Sequence, residues 1–129
     1  MKTVVFNDFV ARNNIKGIFM GIRWDEQPAR VKDDYFVLRP GDEYTPEHIR
    51  IQPILHFTER DIWDATFNHN IPYCSLYKNG YRSLGAATTS IKISGISAWE
   101  QDLENTVEMA ERRQDKEDAM ERLRKLGYM

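Results

Sequence analysis

The sequence predicts an α/β fold, because short apolar runs typical of strands alternate with segments of helical periodicity. Lys16–Ile22 is apolar and bounded by glycines, which is the pattern of a strand buried on both faces of a parallel sheet. Before it, Thr3–Asn14 carries apolar side chains at near-helical spacing, and two asparagines provide a stop. These two observations place a helix and then a buried strand at the start of the chain.

The middle of the chain predicts a second strand and a second helix. Ile49–Leu55 alternates as a short strand broken by Pro53, and the acid-rich stretch Val37–His48 before it is expected to be a surface loop. Thr58, followed by Asp61, resembles a capping box, so a helix is expected from there to about residue 70.

After this helix the chain is expected to leave as an ordered connection. Ile71–Tyr77 reads as an apolar extended segment, and Asn79 with Gly80 predicts a tight turn. From Trp99 to Leu126 charged residues dominate, with apolar residues at helical intervals. The prediction is therefore a partial α/β nucleotide-binding-like domain over residues 1–98 and an amphipathic helical tail over residues 99–129.

Composition limits the classes of function. The 129 residues make one small domain, and the net charge of −2 argues against a protein that grips DNA through positive potential. No apolar run of membrane-spanning length and no secretory leader is present, so no membrane partner is expected and the cytoplasm is the expected location. The single cysteine, Cys74, excludes an intramolecular disulfide, a CxxC metal site and a dithiol redox pair, and it is expected to be buried.

Two segments about sixty residues apart predict an anion site. Gly21–Arg30 and Asn79–Thr89 both combine arginines with small or hydroxyl residues. The first begins at the carboxyl end of the predicted strand, and ligands of open α/β sheets bind at that edge. A phosphate or sulfate site is the interpretation.

Seven stretches, taken in order, give the chain a family resemblance. It resembles the C-terminal half of the enzymes that include the small subunit of sulfate adenylyltransferase and the phosphoadenosine phosphosulfate (PAPS) reductases. The matching stretches are Met1–Thr3, Gly21–Glu26, Ile51–Trp63, Asn70–Tyr73, Leu76–Tyr77, Gly80–Gly85 and Gly127–Met129. The fold implied is the C-terminal portion of a Rossmann-like adenine nucleotide alpha hydrolase domain with a helical C-terminal tail.

The resemblance also shows what this sequence lacks. Family members carry an N-terminal Ser-Gly-Gly-x-Asp-Ser type loop that cradles nucleotide phosphates with backbone N–H groups, and no such loop occurs here. The chain is therefore expected to be a fragment or to be completed by another polypeptide, and to be inactive by itself. The tail has no nucleophilic cysteine of the reductase type and no paired cysteines for an iron-sulfur cluster, so neither a redox cysteine nor a cluster is expected.

The activity that the resemblance implies is adenylyl transfer. The tail is similar to that of the adenylyltransferase, of which Glu108, Arg112 and Asp115 carry over. By resemblance, sulfate would attack ATP to give adenosine phosphosulfate and pyrophosphate, with Mg²⁺ bound to ATP. A GTPase large subunit is a possible partner in that case.

The resemblance assigns roles to the residues of the first segment. Arg23 and Arg30 would bind sulfate or phosphate oxygens, since a guanidinium matches a tetrahedral oxyanion. Asp25 and Glu26 would orient these arginines. The alternative for Arg23, Asp25 and Glu26 is an ordinary surface ion-pair cluster.

The second segment and the tail would complete the site. Arg82, with the backbone from Ser83 to Gly85, would close over the nucleotide or anion, and Arg112 would belong to the tail's anion contacts. Arg112 could instead form helix-face ion pairs.

Two other functions stay open at this point. One is a member of the PAPS reductase family without the reductase cysteine. The other is a non-catalytic interaction module, because a partial sheet exposes an edge and an apolar face that favour oligomers. A homo-oligomer or a complementing N-terminal half is the expected partner.

Overall fold

The computed structural model describes residues 2–85, 87, 90–108 and 127. Five elements of regular structure are present in that part of the chain: helix α1 (Lys2–Arg12), strands β1 (Gly17–Phe19), β2 (Phe36–Arg39) and β3 (His48–Ile51), and helix α2 (Glu59–Asn68). Three short 3₁₀ helices cover Pro28–Arg30, Ser75–Tyr77 and Ala98–Glu100. The α/β class predicted from the sequence is confirmed.

The strands form one mixed sheet in the order β1-β3-β2. β1 runs parallel to β3, with Ile18 opposite Arg50, and β2 runs antiparallel to β3, with Val37 opposite Arg50. The expected loop over residues 37–48 is wrong at its start, because Phe36–Arg39 pairs along the full length of β3. The loop proper follows Arg39, where Pro40 and Gly41 end the strand.

One face of the sheet is apolar and exposed. The register places Gly17, Ile49 and Leu38 in one row and Phe19, Ile51 and Phe36 in the next, on the same face. Phe19 is 75% exposed and Phe36 is 71% exposed. The expectation that β1 is buried on both faces is therefore wrong, because no described segment covers this face.

Helix α1 forms where the spacing of apolar residues predicts a helix, but Val4, Val5 and Phe9 are exposed. Val10 is only 2% exposed, and the Asn7 side chain donates a 2.8 Å hydrogen bond to the Thr45 hydroxyl. The helix ends where Asn14 adopts a positive φ of 52°, as the two asparagines predict. The amide of Ile15 then closes the end on the Val10 carbonyl at 3.0 Å.

Helix α2 begins at the predicted capping box. The Thr58 hydroxyl accepts from the Asp61 amide at 3.1 Å, and the Asp61 carboxylate accepts from the Thr58 amide at 2.8 Å. These two bonds satisfy helix N–H groups that have no partner within the helix. They also hold the pKa of Asp61 below its ordinary value.

Trp63 of α2 is the centre of the core that supports the site. It packs with Ala98 and Leu103, and its ring lies 5.3 Å from that of Tyr77 and 5.2 Å from that of Trp99. The segment after residue 97 is thus held on the same core as the helix. The aromatic residues Tyr77 and Trp99 thus serve packing around Trp63.

The connection after α2 is ordered, but it departs from the extended path in part. Ser75–Tyr77 is a 3₁₀ helix, and Cys74 before it is exposed, contrary to the expected burial. Gly80 then turns the chain with a φ of +99°, as the predicted tight turn requires.

Of the tail, the structure describes residues 99–108 and residue 127. From Trp99 to Glu108 the chain forms the end of a 3₁₀ helix and a series of turns instead of an α-helix. The rest of the expected amphipathic helix lies outside the described residues, so the division of the chain at residue 98 stays a prediction. No helix within the described residues has the length and apolar character needed to cross a bilayer.

Replacement of Thr58 by alanine tests the capping box. Thr58→Ala removes the hydroxyl that accepts from the Asp61 amide, and the expected loss of unfolding free energy is about 1 kcal/mol. Thr58→Ser keeps the hydroxyl and is the control, with a change of less than half that size. Urea unfolding followed by far-UV circular dichroism measures both, and equal losses would contradict a capping role.

Gly80→Ala tests the turn that precedes the site. A Cβ at this position would lie 2.0 Å from the carbonyl oxygen of Ile93, so the substitution is expected to lower the unfolding free energy by about 3 kcal/mol. Gly95→Ala is the matched control, because Gly95 also has a positive φ, +83°, but open space around it. The control should lose about 1–2 kcal/mol from backbone strain alone. Similar thermal shifts for the two variants would show that the clash does not matter.

Candidate functional site

Four segments meet beside the N-terminus of α2. They are the loop after β1, the first turn of α2, the loop that follows Gly80, and the turns at residues 102–108. The loop after β1 is held in place by a 3.0 Å hydrogen bond from the Trp24 amide to the Leu55 carbonyl. As the sequence predicts, the arginine-containing loop therefore leaves the carboxyl end of a strand.

Arg23 lies buried between two carboxylates. Its Nε donates to Asp25 at 2.7 Å, and its Nη2 donates to Glu108 at 2.5 Å. Burial alone would lower the pKa of Arg23, but Glu108 and Asp25 outweigh it and raise the pKa. The guanidinium therefore keeps its charge inside the protein.

Asp25 joins this arginine to helix α2. One carboxylate oxygen accepts from Arg23, and the other accepts from the amide of Glu59 at 2.8 Å. A carboxylate at a helix N-terminus is favoured by the helix dipole. Asp25 thus holds Arg23 against the start of α2, and its role in orienting Arg23 toward an anion stays a prediction.

Arg82 forms a buried, bidentate ion pair with Glu59. Its Nε donates to Oε1 at 2.9 Å and its Nη2 to Oε2 at 2.7 Å. It also donates to the Thr106 hydroxyl, and to the Thr106 carbonyl at 2.9 Å. One guanidinium thereby connects the loop after Gly80, the start of α2 and the turns near residue 106.

Arg30 and Glu26 form a separate buried pair. Arg30 Nε lies 3.0 Å from the Glu26 carboxylate, and Nη1 lies 3.5 Å from Asp33. Burial raises the pKa of Glu26 despite its neighbours Arg30 and Arg23. This pair lies within the loop and is buried, and anion binding by Arg30 stays a prediction.

A large cavity opens between the loop after β1 and the turns near residue 106. Its volume is about 580 Å³, within the range of about 300–1,000 Å³ that small-molecule sites occupy. Trp24 forms one wall, with its indole N–H donating to the Asp33 carbonyl at 2.7 Å. Other apolar lining residues are Pro28, Val31, Leu103 and Val107, and polar ones include Gln27, Arg60 and Asn105.

A smaller cavity of about 160 Å³ brings Arg23 and Arg82 together. Glu59 and Glu108 also line it, and Glu59 lines the large cavity as well. The two arginines, about sixty residues apart in the sequence, therefore face one space. Whether that space binds an anion stays a proposal.

The carboxylates of the small cavity are costly to bury. Burial raises the pKa of Glu108 above its ordinary value, and Arg23 opposes this shift only in part. The pKa of Glu59 is also raised, first by burial and further by the charge of Glu108. The cavity thus contains two arginines whose charge is balanced by two buried carboxylates with raised pKa values.

The remaining predicted residues are placed as follows. Ser83 is buried beside Arg82, whereas Gly85 is exposed and its amide donates to the Ser90 hydroxyl at 2.9 Å. Arg112 lies outside the described residues. Among the described residues, no group of three or more His, Cys, Asp or Glu side chains is arranged to hold a metal ion.

Sequence reasoning missed the partners of Arg82. Glu59 lies in the first turn of the predicted second helix and Thr106 in the predicted tail, and no local pattern links either residue to Arg82. The family pattern in the sequence included Glu108. No pattern in the neighbouring sequence predicted its contact with Arg23. Trp24 had a signal too, because it lies inside the predicted arginine loop.

Comparison of this chain with known proteins identifies similar folds first and then its family. The α/β fold of this chain is similar to that of solved FMN adenylyltransferase structures. Its structure superposes on Candida glabrata FMN adenylyltransferase in complex with FAD and inorganic pyrophosphate with a TM-score of 0.63 at 24% identity, over 88% of this chain and 40% of that one. The complex of the same enzyme with FMN and the ATP analogue AMPCPP gives 0.61 at 25% identity, over 88% and 41%.

The sequence matches the phosphoadenosine phosphosulfate reductase domain over residues 1–92, and the chain belongs to that family. A probable FAD synthase of Schizosaccharomyces pombe is 47% identical over 75 residues, which are 58% of this chain and 27% of the relative. Adenosine 5'-phosphosulfate reductase of Geobacillus thermodenitrificans is 31% identical over 67 residues, or 52% and 27%. The chain thus spans about a quarter of the length of these curated relatives. The family predicted from the sequence is confirmed.

Glu108→Gln tests the burial cost in the small cavity through pH. Because the folded pKa of Glu108 is raised above 4.5, the folded state holds this proton more tightly than the unfolded state. Its contribution to stability is full below the ordinary pKa and is lost as the pH rises through the raised one. The unfolding free energy of the wild type relative to Glu108→Gln should therefore fall as the pH rises.

Glu104→Gln is the control of opposite sign. The hydrogen bond from Arg60 lowers the pKa of Glu104, so its contribution is present above the ordinary pKa and is lost on acidification. Urea unfolding between about pH 3 and pH 7 measures both differences. The opposite result would be a wild type that gains unfolding free energy relative to Glu108→Gln as the pH rises. It would show that Arg23 fully compensates the cost of burying the carboxylate.

Proposed function

We propose that this chain is the acceptor-binding portion of an adenylyltransferase that transfers AMP from ATP to FMN, giving FAD and pyrophosphate. The observation that carries the proposal is the large cavity walled by Trp24, next to two buried arginines. The flat indole and apolar walls suit a planar, amphipathic ring system, and the arginines suit the phosphate attached to it.

The comparisons support this acceptor. The S. pombe relative is a probable FAD synthase, and the C. glabrata enzyme was captured with FMN and an ATP analogue. Yeast FAD synthetase in complex with FAD also superposes, with a TM-score of 0.55 at 26% identity over 71% of this chain. Flavin nucleotides thus recur among the relatives, whereas sulfate as acceptor rests on the motif resemblance alone.

The chemistry requires positioning and charge, not a protein nucleophile. A phosphate oxygen of FMN would attack the α-phosphorus of ATP, and pyrophosphate would leave. Arg23 and Arg82 would stabilise negative charge that develops on the phosphate oxygens, while Asp25 and Glu59 hold them in place. Arg30 and Glu26 would shape the loop without touching the ligand.

The nucleotide itself would depend on a part of the fold that this chain does not span. A loop of backbone N–H groups would hold the ATP phosphates, and Mg²⁺ would enter with the nucleotide, bound mainly by phosphate oxygens. We thus propose that the complete domain catalyses adenylyl transfer and acts in the cytoplasm. For this chain we propose acceptor binding. Sulfate, with a GTPase large subunit, is the alternative acceptor system.

Fluorescence titration of FMN with the purified chain tests the proposal. Saturable quenching of flavin fluorescence is expected, and Trp24→Ala should weaken FMN binding by about tenfold, or about 1.4 kcal/mol. Tyr44→Ala is the control, because Tyr44 is an exposed aromatic residue that lines neither cavity. Its affinity for FMN should equal that of the wild type.

Calorimetric titrations with sulfate and adenosine phosphosulfate decide between the acceptors. The flavin proposal fails if FMN does not bind while either sulfur compound binds saturably. It also fails if Trp24→Ala and Tyr44→Ala bind FMN equally well. Riboflavin, which lacks the phosphate, should bind more weakly than FMN if the arginines hold that group.

A further inference from the structure

Residues 102–108, called the acidic strap here, are clamped by three arginines of the α/β body. Arg60 donates to Glu104 at 2.9 Å, Arg82 donates to Thr106, and Arg23 donates to Glu108. These arginines come from three different parts of the fold. The strap therefore lies across the site as one continuous piece.

The last residue of the strap occupies the position that suits a bound oxyanion. The Glu108 carboxylate lies 2.5 Å from Arg23 Nη2, in the cavity that Arg82 also lines. Its side chain is 20% exposed, so it is largely withdrawn from water. Carboxylate and phosphate oxygens make the same charge-assisted hydrogen bonds to a guanidinium, so the two groups are interchangeable here.

The strap also separates the two cavities. Thr106 and Val107 line the large cavity, Glu108 lines the small one, and Glu59 borders both. Displacement of residues 106–108 would join the two spaces. The small cavity, of about 160 Å³, is several times the volume of about 30 Å³ that a water molecule takes up in the liquid, so it has room for a tetrahedral oxyanion.

The strength of the clamp differs along the strap. The pair of Arg60 with Glu104 is exposed and screened by water, so it contributes little. The contact of Glu108 is buried, and burial raises the pKa of its carboxyl group. An incoming dianion would interact more strongly with Arg23 and Arg82 than this single, poorly solvated carboxylate does.

We propose that Glu108 is an internal competitor for an oxyanion subsite between Arg23 and Arg82, and that a phosphate or pyrophosphate group displaces it together with the strap. The inference rests on the proposed function only in so far as that function brings a phosphate-bearing ligand to the site. The contact is autoinhibitory, since the ligand-free chain neutralises its own anion site. Ligand binding then opens a path between the two cavities.

Isothermal titration with inorganic pyrophosphate is the direct test. Glu108→Gln keeps the size of the side chain and an oxygen for Arg23 but removes the competing charge, so it should bind pyrophosphate at least tenfold more tightly than the wild type. Glu104→Gln is the matched control on the same strap and should stay within twofold of the wild type. Equal or weaker binding by Glu108→Gln, or no binding by any of the proteins, overturns the proposal.

Hydrogen exchange of the wild-type chain supplies a second measurement that needs no variant. Saturating pyrophosphate should speed exchange of the backbone amides of residues 102–108, because the strap leaves its contacts. Unchanged or slower exchange there would show that Glu108 is a structural tie and would overturn the displacement. The measurement stands even if Glu108→Gln fails to fold.

The outcomes separate this inference from the proposed function. Tighter pyrophosphate binding by Glu108→Gln without any FMN binding supports the internal competitor and rejects the flavin acceptor. Saturable FMN binding with no effect of Glu108→Gln on pyrophosphate supports the acceptor and rejects the competitor.

Discussion

The site depends above all on the buried ion pair between Arg82 and Glu59. Glu59 opens helix α2, and Arg82 reaches it from the loop after Gly80 while also holding Thr106. Both side chains are almost fully withdrawn from water. Loss of either one would leave an uncompensated buried charge, which costs about 3–5 kcal/mol in proteins. The pair therefore fixes three segments relative to one another before any ligand arrives.

From this pair, alternating charges extend through the whole site. The Glu59 amide is bound by Asp25, Asp25 holds Arg23, and Arg23 holds Glu108. Each arginine is thus neutralised by the protein itself. This arrangement differs from a helix N-terminus or glycine-rich loop, where backbone N–H groups stand ready for an anion. Here an anion has to compete with a carboxylate for the arginines. The acidic residues therefore influence the affinity for the anion as much as the arginines do.

The helices were predictable because their signals are local. The capping box at Thr58 and Asp61 acts over three residues, and the asparagine stop after α1 acts at a single residue with positive φ. The strands were harder. β2 was missed because Pro40 and Gly41 dominated the interpretation of the residues before them. The burial of β1 was overestimated because burial depends on which segments cover the sheet. The sequence of a strand does not predict those segments.

By itself, the sequence determined the α/β class, the family and the positions of helices α1 and α2. Only the tertiary structure decided which carboxylate each arginine faces. Arg82 finds Glu59 across 23 residues, and Arg23 finds Glu108 across 85. Such contacts follow from how the loops close around Trp63 and the start of α2, and no periodicity or cap encodes them. The physical reason is the distance along the sequence over which each interaction acts. Helix signals act within one turn, whereas the charge network forms only after distant segments have packed together.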